Sequence, residues 1–305
     1  MKKAGVLFGL ALVLMQTVAV LGGTISGVTF FSYVVSEDGF SEFDIDRSYF
    51  TFKQKIDDRF SYKIQLDVGR LKNNPDNQQL SVYLKNANLN WRTPFLDLTF
   101  GLQGMNLFNT QEKTWGYRFI EKSAMDRNKF SSSADLGIGL SRRFGTNLYS
   151  SLLVTNGGGY KKAETDKYKK FSGQLCYGPT NLGKEEGFNI GGVFSREPVE
   201  SGETLVYGAF GGYSGHGLRT GIEFSQLDDG VEEVASLLSL YGSYQILAHY
   251  ELFARFDNSD DEDYLIGGFN YQPVSGLTIA PNVRHTASEN EDAFLEYHLD
   301  FQFRF

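Results

Sequence analysis

Apolar side chains return at every second position, in segments of about ten residues, along almost the whole of this 305-residue chain. "RFSYKIQLDVG" sets Phe60, Tyr62, Ile64, Leu66 and Val68 against Ser61, Lys63, Gln65, Asp67 and Gly69. "FLDLTFGLQ", "DLGIGLSRR", "GLRTGIEFS" and "GLTIAPNVRH" repeat the pattern, and "EYHLDFQFRF" closes the sequence with Tyr297, Leu299, Phe301, Phe303 and Phe305 on one parity. Period two is the signature of β-strands whose two faces meet different surroundings. Sixteen such segments start near residues 25, 43, 58, 79, 95, 134, 147, 168, 187, 202, 217, 232, 248, 262, 276 and 293. Two are irregular. In "SEFDIDRSYFTFKQKI" the apolar parity changes between Ile45 and Phe50, which predicts a bulge or a short outer extension; in "SVYLKNANLNW" neither parity is clean.

The connections alternate as well. "KIDDR", "RTP", "RFGT" and "SGHG" are short, whereas "KNNPDNQQ", "DDGVEE", "DNSDDED" and "ASENEDA" are polar and mostly acidic, and the link from about Asn106 to Ser133 is the longest. Short turns at one end and polar loops at the other describe an up-and-down antiparallel meander, and an even strand count returns both termini to the short-turn end. A soluble sandwich would need a second apolar core, but the second face is rich in Gly, Ser, Asn, Arg and Asp. In lipid, every backbone N–H and C=O must be satisfied within the sheet, so strands must close. The expected fold is therefore all-β: a transmembrane antiparallel up-and-down β-barrel of sixteen strands in the bacterial outer membrane. At that size the interior is wide enough for an aqueous channel, whereas eight strands fill with side chains.

The one long apolar run stands at the N-terminus, where Lys2 and Lys3 precede "AGVLFGLALVLMQTVAVLGG". A basic start, a short apolar stretch and small residues at its end describe a secretory signal peptide. We expect residues 1–23 to be this signal and residues 24–305 to be the barrel. The net charge of −8 argues against a nucleic-acid partner. Cys176, the single cysteine, has no disulfide partner and reads as a small wall residue.

The longest link, "NLFNTQEKTWGYRFIEKSAMDRNKFSSS", carries Lys113, Arg118, Lys122, Arg127 and Lys129 against Glu112, Glu121 and Asp126, a positive excess inside an acidic protein. "WGYRFIEKSAMD" is expected to form a short helix. Around it, Gly101 to Gln103 close a strand, Phe119 to Ser123 read "FIEKS", Asp135 to Gly137 open the next strand and Thr155 to Gly159 read "TNGGG". In these pieces the chain resembles the family of phosphate-selective porins O and P. In general porins the third external loop folds into the lumen and narrows it; this link is third in order, so the resemblance implies that Lys113, Arg118, Glu121, Lys122, Arg127 and Lys129 border the constriction of a channel for small polar solutes or inorganic anions. It also implies a homotrimer. A closing strand that ends in Phe305 resembles the signature read by the outer-membrane assembly machinery.

By parity, Lys63, Arg143, Arg219, Arg255, Arg284 and Arg304 belong to the lumen wall, with Asp67, Asp97, Glu223, Glu251, Glu296 and Asp300. Opposed rows of charge would orient polar solutes and bias ion traffic. "DNSDDED" brings together Asp257, Asp260 and Asp261 but lacks the spacing of a calcium loop. None of His216, His249, His285 and His298 accompanies a serine elbow or a zinc motif, so no catalytic residues, metal site or cofactor are expected. The alternatives are a barrel-type enzyme and a structural or adhesive barrel without an open pore. The remaining partners expected are outer-membrane lipid and lipopolysaccharide, which divalent cations on the acidic loops would bridge.

Overall fold

The computed structural model describes residues 22–70, 79–200, 202–288 and 291–305. Most of the expected signal peptide and most of the "KNNPDNQQ" link lie outside the described residues. Among the described residues, sixteen antiparallel strands close into a single barrel. They are β1 (Thr24–Ser36), β2 (Ser41–Lys55), β3 (Phe60–Arg70), β4 (Leu80–Arg92), β5 (Asp97–Gly104), β6 (Ala134–Phe144), β7 (Leu148–Thr155) and β8 (Lys170–Tyr177). There follow β9 (Gly187–Val199), β10 (Gly202–Gly215), β11 (Leu218–Asp228), β12 (Ala235–Leu247), β13 (Tyr250–Ser259), β14 (Glu262–Val274), β15 (Leu277–Ser288) and β16 (Glu291–Arg304). The expected starts agree closely; the largest offset is the twelfth, expected near 232 and found at Ala235.

Each strand pairs with its sequence neighbours, and β1 closes on β16 from Val28–Arg304 to Ser36–Glu296. Gly27 and Phe305 exchange both backbone hydrogen bonds, at 3.0 and 3.1 Å. With no free edge, the ladder leaves no backbone row for lipid to meet. The outward parity forms an apolar belt in which Ile64, Phe100, Leu152, Phe194, Ile222, Leu265 and Tyr297 are all exposed. A closed barrel of even strand number, with an exposed apolar belt and a charged interior, is an outer-membrane barrel. The turns at one end are tight: His216 and Gly217 both have positive φ (54° and 78°), the geometry of a two-residue hairpin that matches strand twist.

Both irregular segments contain bulges. Between β1 and β2 the register slips where Phe30 faces Arg47 and Phe31 faces Ile45, so Asp46 is the extra residue. Between β3 and β4, Gln65 faces Asn86 and Leu66 faces Leu84, so Lys85 is the extra residue. A bulge re-aims the side chains beside it. Here each one brings a cation, Arg47 and Lys85, to the inner face.

The 105–133 link, here L3, folds into the lumen. Its helices are α1 (Asn109–Trp115) and α2 (Ala124–Arg127). The expected helix over "WGYRFIEKSAMD" is thus corrected: Gly116, at φ 79°, ends α1, and the segment up to Ser123 is irregular. L3 brings apolar groups of its own. Trp115, Tyr117, Phe119 and Ile120 pack with inward Tyr241, Phe253, Tyr264 and Ile266; Leu107, Phe108, Met125 and Phe130 pack with Val193, Val206, Phe210 and Leu237. The inner wall is therefore not uniformly polar, because β9–β14 present an aromatic and aliphatic ledge that L3 covers. Burying each such side chain contributes on the order of 1.5–3 kcal/mol. Cys176 is buried on the inner face of β8, a small wall residue as expected.

Candidate pore constriction

L3 is fastened by wall arginines that bond its backbone. The Arg255 guanidinium donates to Lys122 O and, from Nε, to Asp257 Oδ1 at 2.8 Å; Nη2 meets Asp257 Oδ2 at 2.5 Å. Arg255 and Asp257 are almost entirely buried. Arg284 Nη2 donates to Ile120 O (2.9 Å) and to Asp300 Oδ2 (2.8 Å), and Nη1 lies 3.5 Å from Glu121. Tyr264 donates to Glu121 Oε2 at 3.1 Å, Trp115 Nε1 to Glu121 O at 2.9 Å, and Tyr241 to Gln111 O at 3.3 Å. Arg127 pairs with Glu262 over the Tyr264 ring. Burial works against the charge of Glu121, yet Arg284, Arg255, the Lys122 N–H and Arg127 outweigh it and hold the carboxyl below its usual range.

Of the six L3 residues expected at the constriction, three are thus committed to holding the loop. Glu121 and Arg127 bind the wall, and Arg118 bridges Glu112 (2.9 Å) and Asp126 (2.8 Å) within L3. Among the described residues, Lys122 has no carboxylate at ion-pair distance. Burial lowers its pKa, Asp126 and Glu121 act against that, and Arg47 and Arg118 lower it further. Lys113, in the last turn of α1, and Lys129, two residues beyond α2, are exposed, and Lys129 has the uncommon φ of 62°.

The wall of β2–β4 is built differently. Arg47 Nη1 lies 2.8 Å from Asp67 Oδ2, and Lys85 lies 3.8 Å from the same atom and donates to the Tyr49 hydroxyl at 3.2 Å. The link between β7 and β8 reaches this wall: Tyr160 donates to Asp67 at 3.3 Å, its ring tilts against Tyr83, and Lys161 lies over Tyr83. Asp67, fully buried, is the carboxylate these cations share. Toward the turn end, Asn86 donates to Gln65 and Gln65 to Thr51, both at 2.8 Å, and Lys63 donates to Gln65 at 3.1 Å. Lys53 faces Lys63 across the strand pair. Burial lowers the Lys161 pKa, and Arg47, Lys85 and Lys122 are among the charges that act on it, so loop and wall cations share one field.

Lys63 joins the β2–β4 column, and Arg219 lies over the Tyr117 ring, 3.7 Å from Glu251. Arg255 and Arg284 anchor L3. Arg143 sits near the turn end, over Tyr149, and Arg304 bonds Gln302 at 2.8 Å. Arg47, Lys53, Lys85 and Lys161 were missed. For Arg47 and Lys85 the available signal was the break in parity, because a broken alternation marks a bulge. Of the acidic trio, Asp257 turns inward to Arg255, and Asp260 accepts from Ser236 N at 2.6 Å.

No family model matches the chain, and none of the curated proteins compared matches it. Solved structures do. A loop L8 deletion mutant of OmpT, an outer membrane protein of Vibrio cholerae, superposes with a TM-score of 0.68 at 13% identity, over 93% of this chain and 99% of that one. OmpF of Salmonella typhi, in complex with daunomycin, gives 0.69 at 10% identity, over 93% and 97%. An anion-selective porin from Comamonas acidovorans gives 0.66 at 9% identity, over 93% and 99%. The fold shared with these proteins is the sixteen-stranded barrel.

Proposed function

We propose that the barrel is an outer-membrane porin, a water-filled channel for small polar solutes that favours anions, inorganic phosphate among them. One observation carries this reading. L3 is pinned to the β11–β15 half of the interior, and the lumen beside β2–β4 is bordered by Arg47, Lys53, Lys63, Lys85, Lys122 and Lys161, of which Arg47 and Lys85 share the carboxylate Asp67. Fixed cations along a narrow, low-dielectric wall lower the energy of a passing anion and raise that of a cation. The third-loop position, the "FIEKS" and "TNGGG" pieces and the likeness to an anion-selective porin support it.

The same reading includes export by a signal peptide over residues 1–23, assembly through the strand ending in Phe305, contact with outer-membrane lipid and lipopolysaccharide, and a homotrimer. One OmpT structure of Vibrio cholerae is described as a trimer form. Bilayer conductance with the reversal potential under a salt gradient tests the central claim. An anion-favouring potential is expected. Absence of solute flux would return the question to a hydrolytic or an adhesive barrel, and a cation-favouring potential would overturn the role of the β2–β4 column.

A further inference from the structure

Beside L3, on the turn side, a cavity of about 370 Å³ lies between the loop and the inner faces of β16, β1 and β2. Its polar lining includes Arg118, Arg304, Gln302 and Thr51, and Phe30 and Val28 supply apolar surface; among the described residues no Asp or Glu lines it. The register explains the arrangement. Val28 faces Arg304 and Phe30 faces Gln302 across the closing strand pair, so a flat apolar patch lies directly against two hydrogen-bonding side chains. Phe30 stands edge-on to Tyr49, with ring centroids 6.0 Å apart. Arg304 bonds only the neutral Gln302 and has no carboxylate at ion-pair distance among the described residues. Arg118 meets both of its carboxylates at Nη1, and a guanidinium has five N–H donors, so donors remain for a ligand.

We propose that this cavity is a resting site for small planar organic carboxylates, on the way through the channel. The carboxylate accepts from Arg304 and Arg118, and the unsaturated body lies on Val28 and Phe30. Two features exclude the other anion classes. An inorganic oxyanion would leave the apolar patch unused, and a cavity near the lower end of the size of ligand sites has no room for a large amphiphile. Guanidinium is also the group that matches a carboxylate in a planar two-pronged way. The proposal deepens the porin reading and rests on it.

Channels inserted in one orientation are exposed to benzoate, benzyl alcohol or inorganic phosphate from either side, with chloride carrying the current. Benzoate is expected to reduce the current at lower concentration from the turn side than from the loop side, and benzyl alcohol and phosphate to do so far less. R304Q is expected to weaken the benzoate effect about tenfold, the size of losing one charge-assisted hydrogen bond. Q302E, which places a carboxylate beside Arg304, is expected to abolish it. Equal block by phosphate, or an unchanged benzoate effect in R304Q and Q302E, overturns the site. Folding of each variant is checked by the heat-dependent shift in gel mobility. If no chloride current flows, the porin reading fails. Benzoate binding to the detergent-solubilised protein, followed by saturation-transfer NMR with the same variants, then judges the cavity alone, since it needs no open channel: R304Q-sensitive binding supports the site and its absence overturns it.

Discussion

The two halves of the lumen hold their charges in opposite ways. On β11–β15, Arg219, Arg255 and Arg284 each have a carboxylate partner, and Arg255 and Arg284 also bond a backbone carbonyl of L3. On β2–β4, Arg47 and Lys85 share one acid, while Lys53 and Lys63 face each other without one at ion-pair distance among the described residues. Both sets face the lumen, yet one is a fastening and the other borders the open path. What separates them is the partner count. A buried cation with its own carboxylate offers a passing solute little net charge, even where N–H donors remain free for a close contact, whereas a shared or missing carboxylate leaves a field in the water.

This contrast can be broken most forcefully at Arg255. R255A leaves Asp257 buried without its counter-ion and frees the Lys122 carbonyl, which should cost about 3–5 kcal/mol. Urea or thermal unfolding should show that loss, and conductance should rise as L3 loosens; unchanged values in both would mean that the arginine is no fastening. R284A should cost less, about 2 kcal/mol, because the Arg284 side chain keeps 11% of its surface exposed against 1% for Arg255, while each acid keeps one neutral donor, Asn282 to Asp300 and Ser239 to Asp257. The comparison of the two unfolding midpoints checks the ranking.

The open half should respond in the reverse sense. K53Q combined with K63Q should leave stability within about 0.5 kcal/mol, since it relieves a like-charged cross-strand pair. The reversal potential should move toward cations, and a destabilised protein with unchanged selectivity would interchange the roles of the two halves. Smallest of all should be the effect within L3: neutralising Lys122 should lower anion preference modestly, and adding R118Q should change selectivity little further, because Arg118 already bridges Glu112 and Asp126. A larger shift from R118Q than from K122Q would refute the partner-count argument.

How much of this could be read beforehand differs between the fold and the site. Alternation alone places sixteen strands, because a two-residue period leaves no other backbone for side chains that must face lipid and water in turn. The same alternation turns Lys63, Arg255 and Arg284 inward. It does not tell that Arg255 grips L3 while Lys63 borders the channel, since that depends on partners from strands and loops distant in the chain. Arg47 and Lys85 escape it for another reason. Both stand at bulges, where counting by twos fails, and "SVYLKNANLNW" looks untidy because Lys85 and Asn86 both face inward. Tyr160 and Lys161 belong to a link with no periodicity at all.

The seam between β1 and β16 joins the two extremes of the described chain. Every other hairpin is a local event, but this one is completed only when segments more than two hundred and fifty positions apart meet, with Gly27 and Phe305 as its final rung. Until then the sheet would have two raw margins, which hydrocarbon cannot solvate. Circularising the chain, or shaving off its terminal rung, should therefore act on the rate of membrane insertion well before it alters the finished channel.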